Sequence, residues 1–141
     1  MVEKVRDVMH SKVEFHAPDA SLSAIALTMR QRDVGVVPIV DKQRLVGLVT
    51  DRDITVRALA DSKDISELRA KDVMTRVVDT CQETDTVQAA ATIMEKKKVR
   101  RLPVLNSDNV LVGMLSLGDV CAAVSHERGG KLLKAVSAHH P

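Results

Sequence analysis

Two short stretches of this chain place a hydroxyl three residues before a carboxylate. Thr50 precedes Asp53 in one stretch, and Ser116 precedes Asp119 in the other. Each pair follows an apolar run of strand length and opens a predicted helix, where free N–H groups and the helix dipole favour anions and polar ligands. A carboxylate at this point accepts hydrogen bonds from two vicinal hydroxyls, such as those of a ribose. We therefore expect both pairs to contact the ribose or the phosphate of a ligand.

The same spacing has a second interpretation that involves no ligand. A hydroxyl followed three residues later by an acidic side chain is also a capping box, in which the two side chains only stabilise a helix start. Gly47 and Gly113 precede the two pairs. A glycine there lets a ligand approach the backbone, so these glycines favour binding over capping alone.

The chain contains an internal repeat. Asp7-Val8-Met9 returns 65 positions later as Asp72-Val73-Met74, and the helix patterns that begin at Leu22 and Val87 share this offset. After a one-residue insertion in a loop the offset becomes 66, which relates Asp53 to Asp119. A period of this kind means one supersecondary unit used twice, with a shared core. We expect the function to lie between the copies.

Each copy shows the order strand, helix, strand, strand, helix. The predicted elements of the first copy are Val13–Phe15, Ser21–Arg32, Gly35–Val40, Leu45–Val49 and Asp51–Ala60. Those of the second are Val77–Cys81, Thr86–Lys97, Leu102–Leu105, Leu111–Leu115 and a helix from Gly118 that Gly129-Gly130 interrupts or ends. The predicted organisation is a first repeat over 1–60, a linker over 61–70, a second repeat over 71–125, and a C-terminal helical extension and tail over 126–141.

The motifs and the period together resemble a tandem cystathionine-β-synthase (CBS) domain pair, from Val5 to Ala123. The resemblance implies an α+β (α/β) fold of two β-α-β-β-α repeats packed with pseudo-two-fold symmetry, known as a Bateman module. It also implies a regulatory sensor that binds an adenosine compound (AMP, ADP, ATP or S-adenosylmethionine) in the clefts between repeats. Short pairs of this family often form homodimers, so we expect a homodimer that acts on a separate effector protein.

The two copies differ where the resemblance places the border of the ligand cleft. Arg100 and Arg101 precede a strand in the second copy, and Gly35 and Val36 stand at the matching positions of the first. A guanidinium there binds phosphate bidentately, and strand alternation sends the two arginines to opposite faces. We therefore expect one cleft to bind the phosphate strongly, and the other to be weak, empty or selective for a less charged ligand. Arg52, replaced by Gly118, is a second source of asymmetry.

Aromatic side chains are almost absent, since Phe15 is the only one. Adenine must then lie against other groups, and topology and the resemblance nominate His16, Ala17, Val36, Val37, Cys81 and Leu102. Nucleic acid is an unlikely partner, because its single strands are usually bound by aromatic stacking. No run of about 18 apolar residues or signal peptide is evident, so we expect a cytoplasmic protein without membrane contact.

Other functional classes find little support in the sequence. No nucleophile, acid–base pair or metal set has a persuasive spacing, so we expect neither an enzyme nor an obligatory cofactor. His10 or His16 folded against a cysteine would give a zinc site, a minor alternative. Cys81 and Cys121 are expected to be free thiols. The main alternative is a ligand-free module for dimerisation or protein interaction, in which both motifs serve only as caps.

Overall fold

A computed structural model describes residues 3–61, 64–76 and 78–138 of the chain. The α-helices are α1 Val5–Val8, α2 Leu22–Arg32, α3 Asp51–Asp53, α4 Ala70–Val73, α5 Val87–Lys97, α6 Leu117–Ala123 and α7 His126–Ser137. A π-helix spans Ile54–Leu59 and a 3₁₀ turn spans Ile65–Glu67. The strands are β1 Val36–Asp41, β2 Arg44–Thr50, β3 Cys81–Gln82, β4 Arg101–Leu105 and β5 Leu111–Ser116. Residues 62–63 of the predicted linker, Val77 and the tail 139–141 lie outside the described residues.

The chain divides into two compact units whose borders differ from those of the sequence repeat. The first unit is Glu14–Val78, and the second combines the residues up to Val13 with those from Asp79 onward. The Asp-Val-Met segment that opens the second copy, at Asp72, is thus part of the first unit. The segment that opens the first copy, at Asp7, is part of the second unit.

In the first unit, α2 and a β-hairpin enclose the core. Ser21 caps α2 by accepting a hydrogen bond from the Ala24 N–H at 3.1 Å, and the helix ends at Asp33 with a left-handed φ of 54°. Strands β1 and β2 pair antiparallel. Lys42 and Gln43 turn the chain between them, both with positive φ, as in the type I′ hairpin turn. The buried apolar core consists of Leu22, Ile25, Val37, Ile39, Val49, Ala58, Ala70, Val73 and Met74.

In the second unit, α5 repeats the construction of α2. Thr86 caps it through the Ala89 N–H at 3.0 Å, and it ends at Lys98 with φ 56°. The sheet has the order β3-β4-β5, with β3 parallel to β4 and β4 antiparallel to β5. The buried core consists of Val5, Cys81, Val87, Ala90, Ala91, Met94, Leu102, Val104, Leu115, Val120, Leu132 and Val136.

The predicted strand at Val13–Phe15 is wrong. The first unit has only a single parallel bridge at that end, between His16 and Ile39. Position 16 matches Cys81, where the second unit forms the short strand β3. Within the residues that the structure describes, both copies therefore have a parallel pairing at this point. It involves one residue, His16, in the first copy and two residues, Cys81 and Gln82, in the second.

The prediction that Gly129-Gly130 interrupts or ends the last helix is also wrong. Both glycines lie inside α7, and the helix break falls earlier, at Val124 and Ser125. The Ser125 hydroxyl caps α7 by accepting from the Arg128 N–H at 3.2 Å. Gly129 is buried against Cys121, and a Cβ added to it would lie 3.7 Å from the Cys121 carbonyl oxygen. Gly129 thus lies where α7 packs against α6, and an added Cβ would make ordinary van der Waals contact there.

Candidate functional site

The motif of the first copy forms a complete capping box at the end of β2. The Thr50 hydroxyl accepts a hydrogen bond from the Asp53 N–H at 3.0 Å, and Asp53 Oδ2 accepts one from the Thr50 N–H at 2.9 Å. Asp53 is buried, and its second oxygen, Oδ1, lies 3.5 Å from the Thr75 hydroxyl and 3.7 Å from Arg57 Nε. The motif therefore presents a carboxylate that already has a cationic neighbour.

The motif of the second copy has the same local geometry at the end of β5. The Ser116 hydroxyl accepts from the Asp119 N–H at 3.0 Å, and Asp119 Oδ2 accepts from the Ser116 N–H at 2.9 Å. Asp119 Oδ1 lies 3.4 Å from Nε2 of His10, whose side chain is largely exposed. The side chain of Asp119 is 18% exposed and that of Asp53 is 10% exposed, so the second carboxylate is the more accessible of the two.

These geometries bear on the choice between a cap and a ligand site. Capping is realised in both copies, and it uses the hydroxyl and one carboxylate oxygen of each pair. The other carboxylate oxygen takes no part in the cap. The two roles are therefore compatible, and the prediction of ligand contact stays open at Thr50, Asp53, Ser116 and Asp119.

The two motif glycines have a different role from the expected one. A Cβ on Gly47 would lie 2.8 Å from the Thr75 carbonyl oxygen, and a Cβ on Gly113 would lie 2.8 Å from that of His10. The Cβ on Gly47 would also meet the side chain of Met74, and the Cβ on Gly113 would meet that of Met9. The glycines make room for the backbone and the methionine of an Asp-Val-Met segment, so they give no support to ligand binding.

The residues at the start of β1 and β4 lie beside the motifs. The Gly35 carbonyl accepts from the Asp51 N–H at 3.0 Å, and Val36 pairs with Thr50 in the hairpin. In the second unit the Arg100 carbonyl accepts from the Leu117 N–H at 2.8 Å, and Arg101 pairs with Ser116. The side chains of Arg100 and Arg101 are both exposed, whereas Val36 is buried. The second motif therefore has two accessible cations beside it.

The predicted adenine contacts have mixed surroundings. His16 Nε2 lies 2.8 Å from the Thr28 hydroxyl of α2, and Ala17 is exposed. Val37 and Leu102 are fully buried in the two cores. Burial raises the pKa of the Cys81 thiol to about 12, with a further contribution from Asp85. Of these residues, the solvent-facing Ala17 and the half-buried His16 are the more accessible.

Three residues at the motifs, His10, Thr75 and Arg57, were not predicted from the sequence to lie beside the motif aspartates. His10 and Thr75 each follow an Asp-Val-Met segment, and their common offset of 65 was the available signal. Arg57 follows Asp53 by four positions, the spacing of a helical ion pair. It also donates through Nη1 to the carbonyl oxygens of Met74 at 3.1 Å and Val73 at 3.3 Å.

Two kinds of feature are absent from residues 3–61, 64–76 and 78–138: a cluster of metal ligands and a membrane-spanning helix. No group of three or more His, Cys, Asp or Glu side chains in these ranges is arranged to hold a metal ion. None of the helices described there has the length and apolar character needed to cross a membrane. Cys81 and Cys121 are both free.

Comparison with known proteins places this geometry in a family. The model of the CBS domain matches the chain twice, over residues 5–59 and 70–126. The CBS domain-containing protein YhcV of Bacillus subtilis is 31% identical over 137 residues, which cover 96% of each chain.

Two solved structures of CBS proteins with ligands are also similar. The CBS domain pair of protein MJ0100, in complex with 5′-methylthioadenosine and S-adenosyl-L-methionine, is 29% identical with a TM-score of 0.74, covering 87% of this chain and 96% of that one. CBSX2 of Arabidopsis thaliana, in complex with AMP, is 26% identical with a TM-score of 0.71, covering 85% and 94%. The repeat, the α+β fold and these matches agree, and the chain belongs to the CBS domain family as a tandem pair of CBS repeats.

Proposed function

We propose that the protein is a regulatory module that binds an adenosine-containing nucleotide: AMP, ADP, ATP or S-adenosylmethionine. In this proposal the aspartate of a motif accepts hydrogen bonds from the ribose, and its Thr or Ser contributes on the phosphate side. Arg100 or Arg101 binds the phosphate in the second copy. Gly35, Val36, His16 and Ala17 line the weaker site of the first copy.

The observation that carries the proposal is the arrangement at Asp119. One oxygen of this carboxylate completes the helix cap, and the other is turned to His10 and is partly exposed. Arg101, the first residue of β4, pairs with Ser116, the Arg100 carbonyl accepts from the Leu117 N–H, and the side chains of both arginines are exposed. An acceptor for sugar hydroxyls next to two donors for phosphate suits a nucleotide.

The distribution of charge supports a stronger phosphate site in the second copy. Over residues 14–78 the sequence has ten basic and ten acidic side chains, and the remainder has eleven basic and nine acidic ones. The formal excess of +2 therefore belongs to the second unit. Five cations stand within residues 96–101 alone, so the field around Arg100 and Arg101 favours an anion.

The ligands of related proteins support the choice of adenosine compounds. The similar CBS structures from MJ0100 and CBSX2 contain S-adenosyl-L-methionine with 5′-methylthioadenosine, and AMP, respectively. All of these ligands carry a ribose attached to adenine. We propose the same ligand class here and choose AMP as the first probe.

The regulatory part of the proposal follows from linkage. A nucleotide changes the behaviour of a protein only by binding one arrangement better than another. We propose that this protein acts as a homodimer, without catalytic activity of its own, and passes the signal to an effector protein. The cytoplasmic location stays a prediction from the sequence.

A thermal shift experiment tests nucleotide binding. A ligand at a hundred times its Kd adds about 2.7 kcal/mol to the free energy of unfolding, which raises Tm by about 8 °C for a chain of this length. We expect such a shift with at least one of AMP, ATP and S-adenosylmethionine. Inorganic phosphate at the same concentration is the control and should produce a much smaller one. The absence of any shift with all three compounds would favour the ligand-free interaction module.

A further inference from the structure

The two motif aspartates differ in the polar groups that surround the carboxylate oxygen left for a ligand. A carboxylate has about four lone-pair positions. In each copy Oδ2 takes one backbone N–H. Oδ1 of Asp53 faces both the Thr75 hydroxyl and the Arg57 guanidinium, whereas Oδ1 of Asp119 faces His10 alone among the described side chains. Oδ1 of Asp53 therefore has two polar neighbours, one of them a cation 3.7 Å away, and Oδ1 of Asp119 has one.

Arg57 accounts for this difference. Thr75 and His10 occupy matching positions after the two Asp-Val-Met segments, so each copy has one such neighbour. The position that matches Arg57 in the second copy is Ala123, which cannot reach a carboxylate. Arg57 is the additional group, and it has no equivalent in the second motif.

The surroundings of Arg57 hold its guanidinium in place. Besides Asp53, it contacts the carbonyl oxygens of Val73 and Met74, which are at the C-terminal end of α4 and have few helical partners of their own. Arg57 lies in the π-helix Ile54–Leu59, whereas Ala123, at the matching position of the second unit, is the last residue of the α-helix α6. Three oxygen neighbours from two elements fix this side chain more firmly than a single exposed ion pair would.

We propose that Arg57 is a specificity-determining residue that closes the first motif to ribose. By lying against Oδ1 of Asp53, the Arg57 guanidinium competes with the two vicinal hydroxyls of a nucleoside for that oxygen, and the nucleoside binds at Asp119 instead. This inference rests on the proposed function. The inference adds to the proposed function a physical reason why two sites built from the same motif differ in ribose binding.

Isothermal titration calorimetry of the 141-residue chain with AMP tests the inference. The residues at the matching positions 57 and 123 are exchanged, one variant at a time. The wild-type protein is expected to bind one equivalent. Arg57→Ala gives the first motif the residue of the second, so it should raise the affinity of the first site about tenfold or more and reveal a second equivalent. Ala123→Arg makes the opposite change and should weaken the wild-type site by a similar factor.

Two further variants control for indirect effects. Arg44→Ala removes an exposed arginine at the start of β2 and should leave the stoichiometry at one. Adding Asp53→Asn to Arg57→Ala should return the count from two to one, because the amide keeps one acceptor for the helix cap but loses the other. Circular dichroism without AMP reports whether each variant is folded.

The outcomes separate this inference from the proposed function. If the wild-type protein binds AMP but Arg57→Ala binds it equally or more weakly at one site, Arg57 does not block ribose and the inference is wrong, while nucleotide binding stands. If neither AMP nor S-adenosylmethionine binds any of the proteins, both proposals are wrong. If Arg57→Ala fails to fold, Ala123→Arg decides, and unchanged AMP affinity in a folded Ala123→Arg protein would overturn the inference.

Discussion

The first and second units are built alike, yet they surround their motif aspartates differently. In both, a hydroxyl and a carboxylate cap the helix after a hairpin, and a glycine admits an Asp-Val-Met segment. In the first, Asp53 is buried next to Arg57, and Gly35 and Val36 stand beside the motif. In the second, Asp119 is more accessible and has Arg100 and Arg101 beside it. The repeated residues thus maintain the fold, and we propose that the residues that differ determine what each motif binds.

The largest effect on stability is expected where the two units are most alike. Gly47→Ala and Gly113→Ala would each place a methyl group 2.8 Å from a backbone carbonyl oxygen, which cannot move away as a flexible side chain would. We expect each to lower the free energy of unfolding by about 1–3 kcal/mol, as overpacking generally does. Urea denaturation measures this loss.

A third glycine provides the control for this prediction. A Cβ on Gly130 would meet no atom within 4 Å, and Gly130 lies inside α7. Gly130→Ala should therefore stabilise the protein by about 0.5–1 kcal/mol through helix propensity. A large loss from only one of Gly47→Ala and Gly113→Ala would show that the two Asp-Val-Met segments are not equivalent.

A smaller effect, on affinity alone, is expected where the units differ most in charge. Because adjacent residues of a strand point to opposite faces, we expect only one of Arg100→Ala and Arg101→Ala to weaken AMP binding, by about tenfold. Neither should change the affinity for adenosine, which has no phosphate. Titration calorimetry with both ligands measures the difference.

Lys97→Ala is the matched control for the arginines. Lys97 belongs to the same basic stretch, but its ammonium group is 4.0 Å from Asp79 in an exposed ion pair. Such pairs contribute little, and its removal should leave AMP affinity almost unchanged. If Lys97→Ala weakened binding as much as either arginine variant, a diffuse positive field rather than a specific guanidinium would hold the phosphate.

The sequence predicts the regular parts of the fold well, because local signals determine them. The predicted helices Ser21–Arg32 and Thr86–Lys97 differ from α2 and α5 only in counting the capping Ser21 and Thr86 as helical. Each predicted strand of the two β-hairpins likewise begins and ends within one residue of the observed strand. One error occurs at Gly129-Gly130, because glycine is unfavourable inside a helix but is tolerated in α7, whose Leu132 and Val136 are buried in the core. The π-helix Ile54–Leu59 has no comparable local signal.

The candidate site could be predicted only in part. The contact within each hydroxyl–carboxylate pair follows from three-residue spacing at a helix start, and the structure has it in both copies. The neighbours of the free oxygens are different, since His10 is 109 positions from Asp119 and Thr75 is 22 from Asp53. Contacts across such distances depend on the tertiary fold. The role of Gly47 and Gly113 was misjudged for the same reason.

The most direct test of the account compares the two aspartates under an identical change. Asp119→Asn and Asp53→Asn each retain one acceptor oxygen for the helix cap and replace the other by an amide group, which donates hydrogen bonds. Titration calorimetry with AMP should show an affinity loss of about tenfold or more for Asp119→Asn, and a change of less than about twofold for Asp53→Asn. Equal losses in the two variants would contradict the claim that the second copy provides the principal nucleotide site.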